Sequence, residues 1–163
     1  MLPAPRALWI AAALLAALAP AARAESPPRM APIFSVRTLE GKTIRLQDLR
    51  GRAVVLDFWA TWCQPCKATM PHLDEVQRRY RKDGLVVLGL AVDEDGSEVV
   101  RPFAQHLKVS FALGLADEKV LDLYGPIRSI PTTFFIDRQG RVVRRVVGYI
   151  DAETVDSYVR ELF

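Results

Sequence analysis

Two cysteines, Cys63 and Cys66, stand where an apolar strand gives way to a long helix, and that junction constrains this chain more than any other feature. Ala53 to Trp59 reads as a strand whose Val54-Val55-Leu56 centre is apolar on both faces, as in the interior of a parallel sheet. From about Cys63 to Arg81 the pattern changes: Met70, Leu73, Val76 and Tyr80 recur at spacings of three and four, the period of a helix with one buried face. Gly84 suits its end, and Pro71 predicts a kink inside it. A helix N-terminus presents unpaired amide hydrogens and the positive end of the dipole, both of which stabilise a thiolate. Cys63 is therefore expected at the first turn, exposed, as an attacking nucleophile. Cys66, one turn on, is placed to capture a mixed disulfide and release the reduced partner. Pro65 fits the first turn, where its missing amide hydrogen has no helical partner to lose.

Three other uses of the pair compete with redox chemistry. A structural bridge across two residues closes a tiny loop and constrains the unfolded chain little. A closed zinc site wants four Cys or His ligands, and only His72 and His106 are available to complete it. Inert buried thiols have no need of a helix start.

The rest of the chain alternates strands with helices. Phe34–Val36 and Thr43–Leu46 flank Glu40-Gly41-Lys42 as a small hairpin. Leu85 to Val92 is a second uncharged, central strand, and Asp95-Gly-Ser-Glu98 resembles a capping box for a helix reaching Leu107, with Pro102 near its start. Phe111–Leu115 reads as a short strand and Asp117–Tyr124 as a short helix closed by Gly125. Thr132–Ile136 and Arg141–Val147 are strands joined at Asp137-Arg-Gln-Gly140, and Asp151 caps a last helix bearing Val155, Val159 and Leu162. The order predicts an α/β fold with a mixed central sheet flanked by helices.

Residues 1–24 read differently. Arg6 precedes an uncharged run from Ala7 to Ala19, Pro20 breaks it, and Ala22-Arg-Ala24 offers small residues for cleavage before Glu25. The run is short of the roughly 20 residues that span a bilayer core, so a signal peptide is expected over 1–24, with an uncleaved anchor or a buried helix as the alternative. A lead-in follows over 25–32 and a single domain over 33–163. Half the 163 residues are hydrophobic and a quarter charged, which provides for a core and excludes disorder. Without Arg6 and Arg23 the balance is 20 basic to 19 acidic residues, no electrostatic footprint for nucleic acid.

Val55-Leu-Asp-Phe-Trp-Ala-Thr-Trp-Cys-Gln-Pro-Cys-Lys67 resembles the active-site segment of a thioredoxin fold, and Ser129-Ile-Pro-Thr-Thr-Phe-Phe-Ile-Asp137 resembles its second signature, the loop with a cis proline. The N-terminal β-hairpin and the central insertion around Asp93 to Tyr124 are similar to the exported TlpA/ResA/CcmG type of thiol–disulfide oxidoreductase, a likeness that covers roughly Ala31 to Phe163. The resemblance implies that Pro131 is cis and packs across from the cysteines, leaving the Ile130 backbone free to pair with an extended substrate. It implies an apolar rim of Trp62, Ile130 and Gly148 for a protein partner, with Gln64 and Pro65 lying between the cysteines and tuning their potential. Asp57 matches the thioredoxin aspartate beneath the second cysteine, which accepts that cysteine's proton; burial suits it to the task by raising its pKa. The alternative is a strand-end aspartate bonded to nearby backbone.

Two departures stand out. The TlpA/ResA type often carries glutamate three residues after the second cysteine, where this chain has Thr69, and asparagine at the position of Asp57. Thioredoxins place a lysine on the neighbouring strand near the aspartate, where this chain has Gly89. The family further implies an extracytoplasmic or periplasmic reductant of disulfides in exported proteins, apocytochrome c among them, recharged by a membrane thiol electron donor and needing no cofactor and no metal. A disulfide-forming oxidase and a copper-binding module are the alternatives. A thiol peroxidase is set aside because its P-x-x-x-T-x-x-C pattern needs threonine where Ala60 stands.

Overall fold

A computed structural model describes residues 29–163; the expected signal peptide and the first residues of the lead-in lie outside this range. The strands and helices follow the apolar periodicity closely. The N-terminal hairpin pairs β1 (Ser35–Arg37) with β2 (Thr43–Arg45) as a separate antiparallel ribbon. A 3-10 turn at Leu46–Leu49 leads into β3 (Val54–Trp59), then come α1 (Gln64–Tyr80), β4 (Val86–Ala91), α2 (Ser97–Leu107), β5 (Ala112–Leu115) and α3 (Glu118–Tyr124). The chain closes with the hairpin β6 (Thr132–Ile136) and β7 (Val142–Val147), and α4 (Ala152–Arg160).

The five-stranded sheet has the order β5-β4-β3-β6-β7. β3 to β5 are parallel, as their helical crossovers require, and β6 and β7 are antiparallel, as a short turn permits. β3 sits at the centre with all six residues buried. Its alternation divides the core in two. Val55 and Trp59 face a layer that includes Met70, Leu73, Val100, Val155 and Val159, whereas Val54, Leu56 and Phe58 face the N-terminal hairpin and α3. On the second side Tyr124 stacks edge-on against Phe34 and Phe134, and its hydroxyl donates to the Pro32 carbonyl at 2.8 Å.

Asp117 and Asp151 cap α3 and α4 as expected, accepting the amides of Val120 and Thr154 at 2.8 and 2.9 Å. The capping box proposed for α2 does not form. Gly96 is the N-cap residue, at φ 63°, and no side chain bonds the first turn. The positive φ that glycine adopts without strain turns the chain into the helix in place of an aspartate cap. α1 runs through Pro71 as one continuous helix. Among the described residues no helix is long and apolar enough to cross a membrane.

Candidate active site

The β3–α1 junction brings the two cysteines together as a disulfide, with a Cα–Cα distance of 5.3 Å. Cys63 is the N-cap residue of α1, and its Sγ accepts the Cys66 amide at 3.2 Å, so the sulfur already occupies the position of a capping oxygen. Cys63 is only 4% exposed, not the open first-turn residue expected, because its sulfur turns into the helix end and joins the fully buried Cys66. It is nonetheless the more accessible of the two.

The turn before Cys63 is anchored from β4. Asp93, just beyond that strand, accepts the Thr61 amide at 3.1 Å on each carboxylate oxygen and the Thr61 hydroxyl at 2.5 Å. Cys63 in turn donates its amide to the Ala60 carbonyl at 3.1 Å. Trp62, held between these two bonds, projects outward and is 68% exposed.

Register places the second signature beside the first. Thr132 pairs with Phe58, so Pro131, one residue earlier, comes level with the end of β3. The Ile130–Pro131 peptide is cis. The loop is braced by the Thr132 hydroxyl, which donates to the Ser129 carbonyl at 2.6 Å, and by the Gly148 amide, which donates to the Pro131 carbonyl at 2.8 Å. Among the described residues neither the amide nor the carbonyl of Ile130 has a hydrogen-bond partner. Gly148, half-buried, ties the end of β7 to this loop; Gln64 and Pro65 form the first two positions of α1.

Asp57 lies on the face of β3 against which α1 packs, with no exposed surface. Thr133, its partner on β6, donates its hydroxyl to Oδ1 at 2.7 Å, while Oδ2 has no partner. Burial pushes the Asp57 pKa up to about 7, and the Thr133 hydrogen bond opposes part of that rise. Gly89 is the register partner on β4, and the structure explains why no lysine is there. A Cβ at residue 89 would stand 2.7 Å from Leu113 Cδ2 and 3.2 Å from Trp59 Nε1, so the space that such a side chain would need is filled. Thr69 supplies no acid: its hydroxyl donates to the Pro65 carbonyl at 3.1 Å and accepts the Ile150 amide at 3.3 Å, pinning α1 to the connection before α4.

Sequence reasoning missed part of the exposed apolar surface. Val147 and Tyr149, 54% and 53% exposed, flank Gly148 and so extend the rim predicted at that residue. Tyr149 meets His72 of α1, its hydroxyl 3.3 Å from Nε2. An aromatic residue directly after the strand's closing glycine was the only available signal. The Asp93 anchor and a second cis peptide, Gly125–Pro126, were also unforeseen.

Comparison with known proteins agrees with this geometry. The AhpC/TSA family model matches residues 27–145. The thiol-disulfide oxidoreductase ResA of Bacillus thuringiensis strain Al Hakam is 35% identical over 133 residues, covering 81% of this chain and 76% of its own. ResA of Bacillus subtilis strain 168 is 35% identical over 130 residues, covering 79% of this chain and 72% of its own. Among solved structures, a thioredoxin-family thiol:disulfide interchange protein from Chlorobium tepidum TLS superposes with a TM-score of 0.78 at 30% identity, over 85% of this chain and 99% of the other.

Proposed function

The chain belongs to the AhpC/TSA family, among its thioredoxin-fold, ResA-like thiol–disulfide oxidoreductases, and on that premise we propose that it is an exported reductant of protein disulfides. The observation that carries the reading is the pairing of one nearly buried helix-capping sulfur with a wholly buried one, at the end of a strand that bears a buried carboxylate with a free oxygen.

In the reduced enzyme the Cys63 thiolate, favoured by the α1 amides, attacks one sulfur of the substrate disulfide. That bond breaks, a Cys63–substrate disulfide forms, and the first substrate thiolate leaves. Cys66 then gives its proton to Asp57 and attacks Cys63 Sγ, which expels the second substrate thiolate. Two electrons have passed to the substrate, and the enzyme is left with the Cys63–Cys66 bridge seen in the structure. Asp57 Oδ1 is occupied by Thr133, so Oδ2 is the oxygen that takes the proton. The free Ile130 backbone offers an extended substrate one amide and one carbonyl beside the cis proline, and Trp62 offers it an apolar contact.

Residues 1–24 serve as the export signal, with an extracytoplasmic or periplasmic destination. Away from cytosolic reductants, a dithiol acting as a reductant needs a membrane thiol donor to return it to the reduced state. Disulfide-bearing exported proteins are the substrate class, with apocytochrome c as one member. Equilibration with glutathione buffers tests the direction. A potential near about −270 mV fits a reductant, whereas one near about −120 mV makes the protein an oxidase.

A further inference from the structure

Two buried polar atoms on β3 have no hydrogen-bond partner among the described residues: Asp57 Oδ2 and the indole Nε1 of Trp59. The first is an acceptor and the second a donor, and alternation along the strand directs both residues to the face covered by α1. Leaving each unanswered costs about 1–3 kcal/mol, so two complementary orphans on one strand face call for an account.

Gly89 relates them. It is the register partner of Asp57, and Trp59 Nε1 lies 3.2 Å from where a Cβ on residue 89 would stand. The indole therefore folds back from the end of β3 over the point on β4 from which a side chain would approach the carboxylate. A single water between them would answer one donor and one acceptor at once.

We propose that Trp59 is a positioning residue for the proton on Asp57: its indole N–H, through one buried water, donates to Oδ2 and favours the carboxylate that receives the Cys66 proton. This rests on the reading of Asp57 as the proton acceptor. A neutral donor on the same strand then takes the place of a cation from the neighbouring one. When Cys66 gives up its proton, that proton arrives on Oδ2 and the indole N–H remains on nitrogen throughout, so Trp59 orients the transfer without joining it.

The other groups on this face leave the role open to Trp59. β4 contributes Val87, Gly89 and Ala91, β5 Leu113, β6 Thr133 and Phe135, α1 Met70 and Leu73, and α4 Val155 and Val159. Cys63 and Cys66 belong to the same layer and are both held in the disulfide of the oxidised protein, and Tyr80 and Tyr158 pack at its margin. Two carboxylates flank the face, and each has its own partners: Asp74 accepts from Ser110 and pairs with Arg78, and Asp93 accepts from Thr61. Lys67 lies over the Phe103 ring, 5.1 Å from its centroid, and that ring packs against the Trp59 indole with centroids 5.8 Å apart.

The test follows the indole N–H resonances of the oxidised protein from pH 5 to 9 beside the Asp57 carboxyl carbon. The Trp59 resonance should move with the same midpoint as the Asp57 carbon, stay still in Asp57→Asn, and differ from the exposed Trp62 resonance, which should not follow Asp57. Trp59→Phe should raise the Asp57 midpoint by about one pH unit, the weight of one hydrogen bond to a charged group. An indole that stays still while the Asp57 carbon titrates overturns the proposal, whether or not the phenylalanine variant folds. An Asp57 that titrates with the indole, but whose loss leaves the resolution step unchanged, instead sinks the proton-acceptor reading and spares the hydrogen bond.

Discussion

Asp93 and Thr61 come from separate strand ends, and three hydrogen bonds join them: the Thr61 amide reaches both oxygens of the Asp93 carboxylate and its hydroxyl reaches one. The bond ties the turn that presents Trp62 and Cys63 to the end of β4, so the dithiol is held by the sheet as well as by its own helix. Asp93→Ala leaves the half-buried Thr61 amide without its acceptor, at a cost of about 1–3 kcal/mol. Denaturant unfolding should register that loss. Reduction of a protein disulfide should slow several-fold, and Asp93→Asn, which keeps an acceptor, should recover most of the rate.

As the proposed proton acceptor, Asp57 should make both resolution and stability depend on pH. Its pKa is raised to about 7, so resolution by Cys66 should accelerate as pH climbs through 7 and the carboxylate becomes available. Asp57→Asn should flatten that rise. Stopped-flow measurement of substrate-thiol release across pH 5 to 9 reads it directly, and a wild-type profile retained in the variant removes Asp57 from proton transfer.

The sign of the stability effect follows from the same shift. Below pH about 4 Asp57 is protonated in both folded and unfolded chains and costs nothing. Between about 4 and 7 the unfolded chain releases the proton while the folded chain keeps it, so this group lowers stability as pH rises. Asp57→Asn should therefore be the more stable protein at pH 8, by about 1–4 kcal/mol, with the gap closing toward pH 4. Urea titrations at the two pH values provide the check.

Gly89 should resist substitution. Placing the lysine that thioredoxins carry at this position drives its Cβ to within 2.7 Å of Leu113 Cδ2. Gly89→Lys should destabilise the fold by about 1–3 kcal/mol through overpacking. Adding Leu113→Ala to Gly89→Ala should relieve the strain that Gly89→Ala imposes alone, and thermal melts of the three variants test the coupling.

Trp62 and Tyr149 are the exposed aromatics of the proposed docking rim. Replacing either with alanine should raise KM for a protein disulfide about 3- to 10-fold, a loss typical of an interface aromatic. Turnover of a small aromatic disulfide should stay unchanged, because such a substrate needs the dithiol and not the rim. Equal losses on both substrates would place these side chains in the chemistry instead.

Much of this protein is local in origin, and that part is legible in the residues. The period-three-and-four spacing of Met70, Leu73 and Val76 defines α1, and the uncharged runs through Val55 and Leu88 define two central strands. The Cys63-Gln-Pro-Cys66 motif sits at the helix start because strand, turn and helix are contiguous in the chain. What the structure alone decided includes two local outcomes, a backbone turn and the placement of a sulfur, and several relations between segments far apart in sequence. Asp95-Gly-Ser-Glu98 reads as a capping box, but the chain enters the helix at Gly96 with no side-chain cap. Helical placement predicted an open Cys63, but the bridge to a buried Cys66 closed it in. Asp93 became an anchor for Thr61, and Gly89 the gap over which Trp59 folds, only when β3 and β4 paired in a particular register. Propensity and periodicity are written over a few consecutive residues, whereas register and side-chain collision arise when distant strands meet. The chemistry of the dithiol was therefore readable from its motif, and the environment that tunes it was not.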